Sequence, residues 1–226
     1  YFKGKLDGEV IFNGKDISQY GYELSKMIGY VFQNPFTQIS GIKETVFEEI
    51  AYGLENFGTP VEEIEKRVIE VMKLTNTEEL AMKNPYEISG GQMQRVALAS
   101  VIVLNPDVLI IDEPTSQLDP QGTESVFEII RKLKEQKKTI ILVEHKIDLI
   151  AEFTDHVIIL KDGEVLKEGD TNSVLTDISL LEHGIAIPQV TQLAIQLKEN
   201  GLPINSISVT EDSLLAILKN LLGERG

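Results

Sequence analysis

Cysteine is missing from all 226 residues, which excludes disulfide staples and thiolate metal sites. With only three histidines besides, a structural zinc site lacks ligands. Basic residues are scarce. Lys and Arg number 21 against 36 Asp and Glu, for a formal net charge of −15. A phosphate backbone repels such a surface, so nucleic acid is not an expected partner. Long apolar runs are also lacking. The longest are Ile140–Val143 and, broken by one serine, Val96–Leu104, and neither spans a bilayer. No secretory leader is visible. Residue 1 is Tyr and the first methionine is Met27, so the gene is expected to begin upstream.

What is present is a globular composition, 42% hydrophobic and 25% charged. Residues 9–13 and 27–32 read as short strands, with Gly8 and Gly14 as turn points. Thr45 and Glu48 form a capping box for a helix over 45–57, with Val46, Ile50 and Leu54 on one face. A second helix over 61–74 turns Ile64, Val68, Val71 and Met72 inward. The acids and lysines of both are expected on a solvated face. From residue 89 a turn feeds a helix, followed by the buried strand VLIID. Asp119-Pro120 then caps a helix reaching 136, with Val126, Ile129, Ile130 and Leu133 inward. Residues 139–145 (TIILVEH) read as another buried strand, and residues 155–169 as a strand, a turn and a shorter strand. The tail holds two amphipathic helices, 189–199 (Val190, Leu193, Ala194, Leu197) and 212–222 (Leu214, Leu215, Leu218, Leu222). Apolar strands alternating with helices imply an α/β fold, its parallel sheet covered on both faces. Ligands of such a sheet bind beyond the carboxyl ends of the strands.

Asp112, Glu113 and His145 stand at such ends. A buried strand surfacing as Asp-Glu suits a nucleotide triphosphatase, the Asp for Mg²⁺ and the Glu for the attacking water. The plain alternative is a strand end with a cap and a salt bridge. Ser89, Gly90, Gly91 and Gln92, followed by Arg95, give a helix start with free N–H groups and a positive dipole end, an anion site. Gln33, just after a strand, offers an amide oxygen for Mg²⁺ or water. His145 is placed to bond a γ-phosphate. His156 and His183 read as structural.

The order of these pieces resembles that of the ATP-binding-cassette ATPases, over roughly residues 1–175. VFQNP matches the Q-loop, ISGGQ the signature motif, VLIIDEP the Walker B strand, SQLD the D-loop and VEH the switch histidine. The resemblance implies Glu113 as catalytic base, Asp112 as Mg²⁺ partner and Gln33 as sensor of Mg²⁺ and the γ-phosphate. It implies that Ser89, Gly90, Gly91 and Gln92 contact ATP held by an opposite subunit, and that Asp119 couples the two sites. Its fold is a P-loop NTPase-like parallel sheet with flanking helices. A β part at 1–33, a helical subdomain at 34–88, the rest of the core at 89–175 and a C-terminal extension at 176–226 are expected.

The family's phosphate cradle, G-x-x-x-x-G-K-[ST], has no match. In residues 8–16 (GEVIFNGKD), five residues separate Gly8 from Gly14, and Asp16 stands where a hydroxyl is needed. The resemblance therefore places the cradle and the adenine-stacking aromatic upstream of residue 1. The 226 residues alone are expected to hydrolyse ATP hardly at all. The tail at 183–204, Gln38, residues 53–58 (GLENFG) and Glu144 resemble the energy-coupling-factor ATPases, which power uptake of vitamins and of cobalt or nickel ions. Phe36-Thr37 and Gln117 depart from the pattern without removing a catalytic group. Implied partners are a second ATPase subunit, identical or not, and integral membrane subunits, at the cytoplasmic face of the cell membrane. Two rival readings are a non-transport cassette protein and an ATP-independent interaction module. The first carries long coiled-coil insertions, whereas only 55 residues separate Gln33 from Ser89.

Overall fold

The structure, a computed structural model, describes residues 7–223, without the side chain of Leu222. The chain divides into two compact units, one ending at Val143 and one beginning at Glu144.

The first unit opens with a hairpin of β1 (Ile11–Phe12) and β2 (Lys15–Asp16). Its turn is Asn13-Gly14, with φ of 47° and 77°, the left-handed pair that a two-residue hairpin loop requires. After the short α1 (Leu24–Met27) comes β3 (Ile28–Val31). Three helices follow: α2 (Val46–Asn56), α3 (Val61–Thr75) and α4 (Gly90–Ile102). Then β4 (Val108–Asp112), α5 (Pro120–Glu135) and β5 (Thr139–Val143) complete the unit. The strands pair in parallel in the order β3-β4-β5.

The expected caps form. Thr45 and Glu48 close the capping box of α2, and Asp119 accepts from Gly122 at the start of α5. Val46, Ile50 and Leu54 of α2 pack with Ile64, Val68, Val71 and Met72 of α3 and with Met93 and Val96 of α4. One acid departs from the solvated face expected of it. Glu49 is 3% exposed, and its carboxylate accepts the N–H of Ser40 at 2.7 Å and its hydroxyl at 2.8 Å. A loop nine residues upstream thus supplies the donors that burial of a charge demands.

The two faces of the sheet are unequal. Gly29, Val31, Leu109 and Ile111 are buried, whereas Tyr30, Ile141 and Val143 on the other face are 39%, 51% and 43% exposed. Among the described residues, the cover that unbroken apolar runs imply for both faces is present on one. There α4 lies very close to β3: a Cβ on Gly29 would stand 2.4 Å from Cγ1 of Val101.

The second unit holds α6 (Ile147–Phe153), the antiparallel pair β6 (His156–Lys161) and β7 (Glu164–Asp170), and α7 (Thr171–Leu175). The β7 strand is the longer of the pair, not the shorter as its sequence suggests. Helices α8 (Gln189–Glu199) and α9 (Glu211–Gly223) form the tail. Its core gathers Val157, Ile159, Leu175, Leu180, Ile187 and Val209. Helix α8 is rotated from the expected face. Thr191 and Ala194 are buried and Leu193 is 47% exposed, and the Thr191 hydroxyl donates to the carbonyl of Ser208 at 3.0 Å. In α9, Leu214 is buried and Leu215 is 48% exposed; the inward placement expected of Leu222 lies outside the described residues. No helix among the described residues is long and apolar enough to cross a membrane.

Candidate active site

The register of the parallel sheet sets the first cluster. Tyr30 pairs with Ile110 and Val31 with Ile111. Residues two apart on a strand share a face, so Asp112 lies diagonally ahead of Tyr30. The Tyr30 hydroxyl donates to Oδ2 of Asp112 at 2.7 Å. That bond pushes the phenol above its ordinary 10.0, with loss of hydration adding to it. Its ring is braced by Phe32, with centroids 4.9 Å apart and planes at 58°.

One residue on, the chain leaves the strand. Glu113 has φ of +40°, a left-handed backbone costing a side-chain-bearing residue about 1 kcal/mol or more. Its N–H extends the β4–β5 ladder to the carbonyl of Val143 at 2.9 Å, and its carbonyl accepts from Ser116 at 3.2 Å. The side chain meets Gln33, whose Nε2 donates to Oε2 of Glu113 at 2.6 Å across 80 residues of sequence. Gln33, Asp112 and Glu113, selected separately in the sequence, thus converge at the carboxyl ends of β3 and β4.

Among the described residues, Asp112 Oδ1 and Gln33 Oε1 accept no hydrogen bond. Both are hard oxygens suited to Mg²⁺, which takes one or two protein ligands and fills its shell with water and phosphate oxygens. No group of three or more acids or histidines among the described residues makes a complete cage. The donor set fits an ion that arrives with a nucleotide.

The second cluster is built by two helix starts. Ser89 caps α4, its Oγ accepting from Gln92 N–H at 3.3 Å while Gln92 Oε1 accepts from Ser89 N–H at 3.0 Å. Asp119 caps α5 through Gly122 N–H at 2.7 Å. Both starts open on one hollow of about 490 Å³, which Ser89, Gly90, Gly91, Gln92 and Asp119 line together with Arg95 and Gln117. The converging dipoles favour an anion. Nε of Arg95, a residue lining the hollow, is buried without a hydrogen-bond acceptor. His145 lies in the second unit, exposed, with its backbone N–H held by Glu144 Oε1 at 2.9 Å.

Tyr30 and the buried Arg95 nitrogen escape sequence reasoning. Tyr30 reads as one more apolar strand position until the register is known. Arg95 is visible as part of its motif, but its unmet donor is not.

An acidic pair at a parallel strand end and a glycine-rich hollow at two helix starts have the chemistry that suits a nucleoside triphosphate. Residues 3–116 match the family model described as ABC transporter, and the chain belongs to that family as one of its ATPases. Within it, the chain is of the energy-coupling-factor type. It is 40% identical to the energy-coupling factor transporter ATP-binding protein EcfA2 of Streptococcus pyogenes, over 87% of this chain and 70% of that protein. It is 39% identical to a putative ABC transporter ATP-binding protein of Pyrococcus abyssi, over 96% of this chain and 78% of the relative. Among solved structures it is similar to cbiO1 from Clostridium perfringens, described as part of the ABC transporter complex cbiONQ. That match has a TM-score of 0.69 and 34% identity, and covers 78% of this chain and 71% of the other. The ATP-binding cassette MJ0796, in a dimeric post-hydrolysis state bound to ADP and Pi, matches with a TM-score of 0.62 and 32% identity, over 73% and 74% of the two chains.

Proposed function

We propose that this ATPase powers uptake of a vitamin or a transition-metal ion such as cobalt or nickel, working at the cytoplasmic face of the membrane. The observation that carries the site assignment is the 2.6 Å bond between Gln33 and Glu113. It joins the amide that would sense the γ-phosphate to the carboxylate that would take a proton from water. In this reading, Asp112 Oδ1 and Gln33 Oε1 hold Mg²⁺. Bound there, the ion would supply positive charge against the phosphates. Glu113 orients and deprotonates the attacking water, and His145 bonds the γ-phosphate. Ser89, Gly90, Gly91 and Gln92 present backbone N–H groups to ATP held by an opposite subunit, and Asp119 links the two sites. Residues 34–88 form the subdomain that meets the membrane partner. Residues 176–226 help to hold two ATPase subunits together, whether identical or mixed. Similarity to EcfA2 and to a component of cbiONQ supports this assignment, and the dimeric cassette supports the paired arrangement.

Glu113→Gln in the intact ATPase tests the reading. Removing a general base is expected to slow hydrolysis roughly 100-fold or more. ATP binding is retained, and a closed dimer accumulates on size-exclusion chromatography with ATP. Turnover at the wild-type rate would sink the assignment of Glu113.

A further inference from the structure

We propose that Tyr30 is a positioning residue for Asp112, its hydroxyl turning the carboxylate so that Oδ1 faces the Mg²⁺ carried with ATP. The inference rests on the reading of Asp112 as the Mg²⁺ partner. A carboxylate at a strand end turns easily, because its terminal torsion is broad and two-fold. A single 2.7 Å bond from Tyr30 to Oδ2 selects one orientation and leaves Oδ1 uncommitted.

The donor is itself fixed at two levels. The parallel register sets Tyr30 diagonally behind Asp112, a spacing that long aromatic side chains bridge. The Phe32 ring braces the Tyr30 ring, and the N–H of Phe32 is tied to Oε1 of Gln38 at 3.2 Å. One strand end therefore holds both acids, Asp112 through the Tyr30 hydroxyl and Glu113 through the Gln33 amide. Phenylalanine would fill the same space and keep the ring contact but has no proton to donate. Tyr30 is 39% exposed, so loss of the hydroxyl alone leaves the packing intact.

The test compares wild type, Tyr30→Phe and Asp112→Asn in the intact ATPase. Mn²⁺ is titrated by electron paramagnetic resonance with the non-hydrolysable adenylyl imidodiphosphate present. Binding of the same nucleotide without metal is measured separately. Losing an orienting bond to a metal ligand is expected to weaken Mn²⁺ binding roughly tenfold in Tyr30→Phe. Metal-free nucleotide binding stays unchanged, and Asp112→Asn is weakened at least as much. Wild-type Mn²⁺ binding in Tyr30→Phe beside a weakened Asp112→Asn would overturn the positioning role and leave the Asp112 reading standing. An unchanged Asp112→Asn would remove that reading, and the positioning role with it. Equal weakening of metal-free nucleotide binding in Tyr30→Phe would mark a general structural effect and also overturn the proposal.

Discussion

Glu113 owes its place to the backbone more than to a rotamer. The left-handed turn at φ +40° stops the strand's alternation, so two adjacent acids serve the same end of the sheet instead of opposite faces. Strain of this kind persists only where neighbours over-determine it, and here the ladder bond to Val143 and the bond from Ser116 do so. A second acid shows the opposite economy, with favourable contacts and no strain. The Lys167 ammonium, then the Ser179 hydroxyl and N–H, hold the Asp177 carboxyl well below its ordinary 3.8. A depressed folded value stabilises the fold above the unfolded one, and the contribution is lost as pH falls through the folded value. Asp177→Asn should therefore lower the Tm at pH 7 by a small amount, since the pair is partly exposed. The gap from wild type should narrow steadily below pH about 4, and a gap independent of pH would show that the pair contributes nothing.

At the scale of elements, β3 leaves little room at Gly29, where α4 and the chain leading into β4 close on it. A methyl on Gly29 would meet Val101, Pro106 and Leu109 at 2.4, 3.0 and 3.2 Å. Gly29→Ala is expected to cost about 1–3 kcal/mol through overpacking, read as a lower denaturant midpoint at unchanged slope. Nothing in the string MIGYVF announces this, because the partner at residue 101 is fixed only once the helix docks. What was legible follows the same division. The capping box at Thr45, the helix start at Ser89, the Asp119 cap and the inward faces of α2, α3 and α5 depend on neighbours within one or two turns, and sequence spacing carries them. Glu49, Thr191 and Tyr30 depend on partners 9, 17 and 82 residues away, and their roles emerge only with tertiary structure. The candidate site divides likewise. Its acids and glycines declare themselves by type and order, while the bond between Gln33 and Glu113 does not.

For the whole molecule, charge and apolar exposure oppose each other. A net charge of −15 keeps copies apart at low salt. Yet Ile141 and Val143 in the first unit, and Ile158, Leu160 and Val165 in the second, are 43–67% exposed. Screening shortens the reach of the repulsion from about 30 Å at 0.01 M salt to about 8 Å at 0.15 M. Nucleotide-free protein should therefore self-associate more strongly as salt rises, read by sedimentation velocity. Weaker association with salt would mean that ion pairs, not apolar faces, join the copies. The loop between β3 and α2 spans residues 32–45. It is fastened at Gln33 to Glu113, at Gln38 to Phe32 and at Ser40 to Glu49, and the Tyr86 hydroxyl closes over Gly41. These ties form one path of contacts from the Glu113 carboxylate to the Glu49 carboxylate on α2.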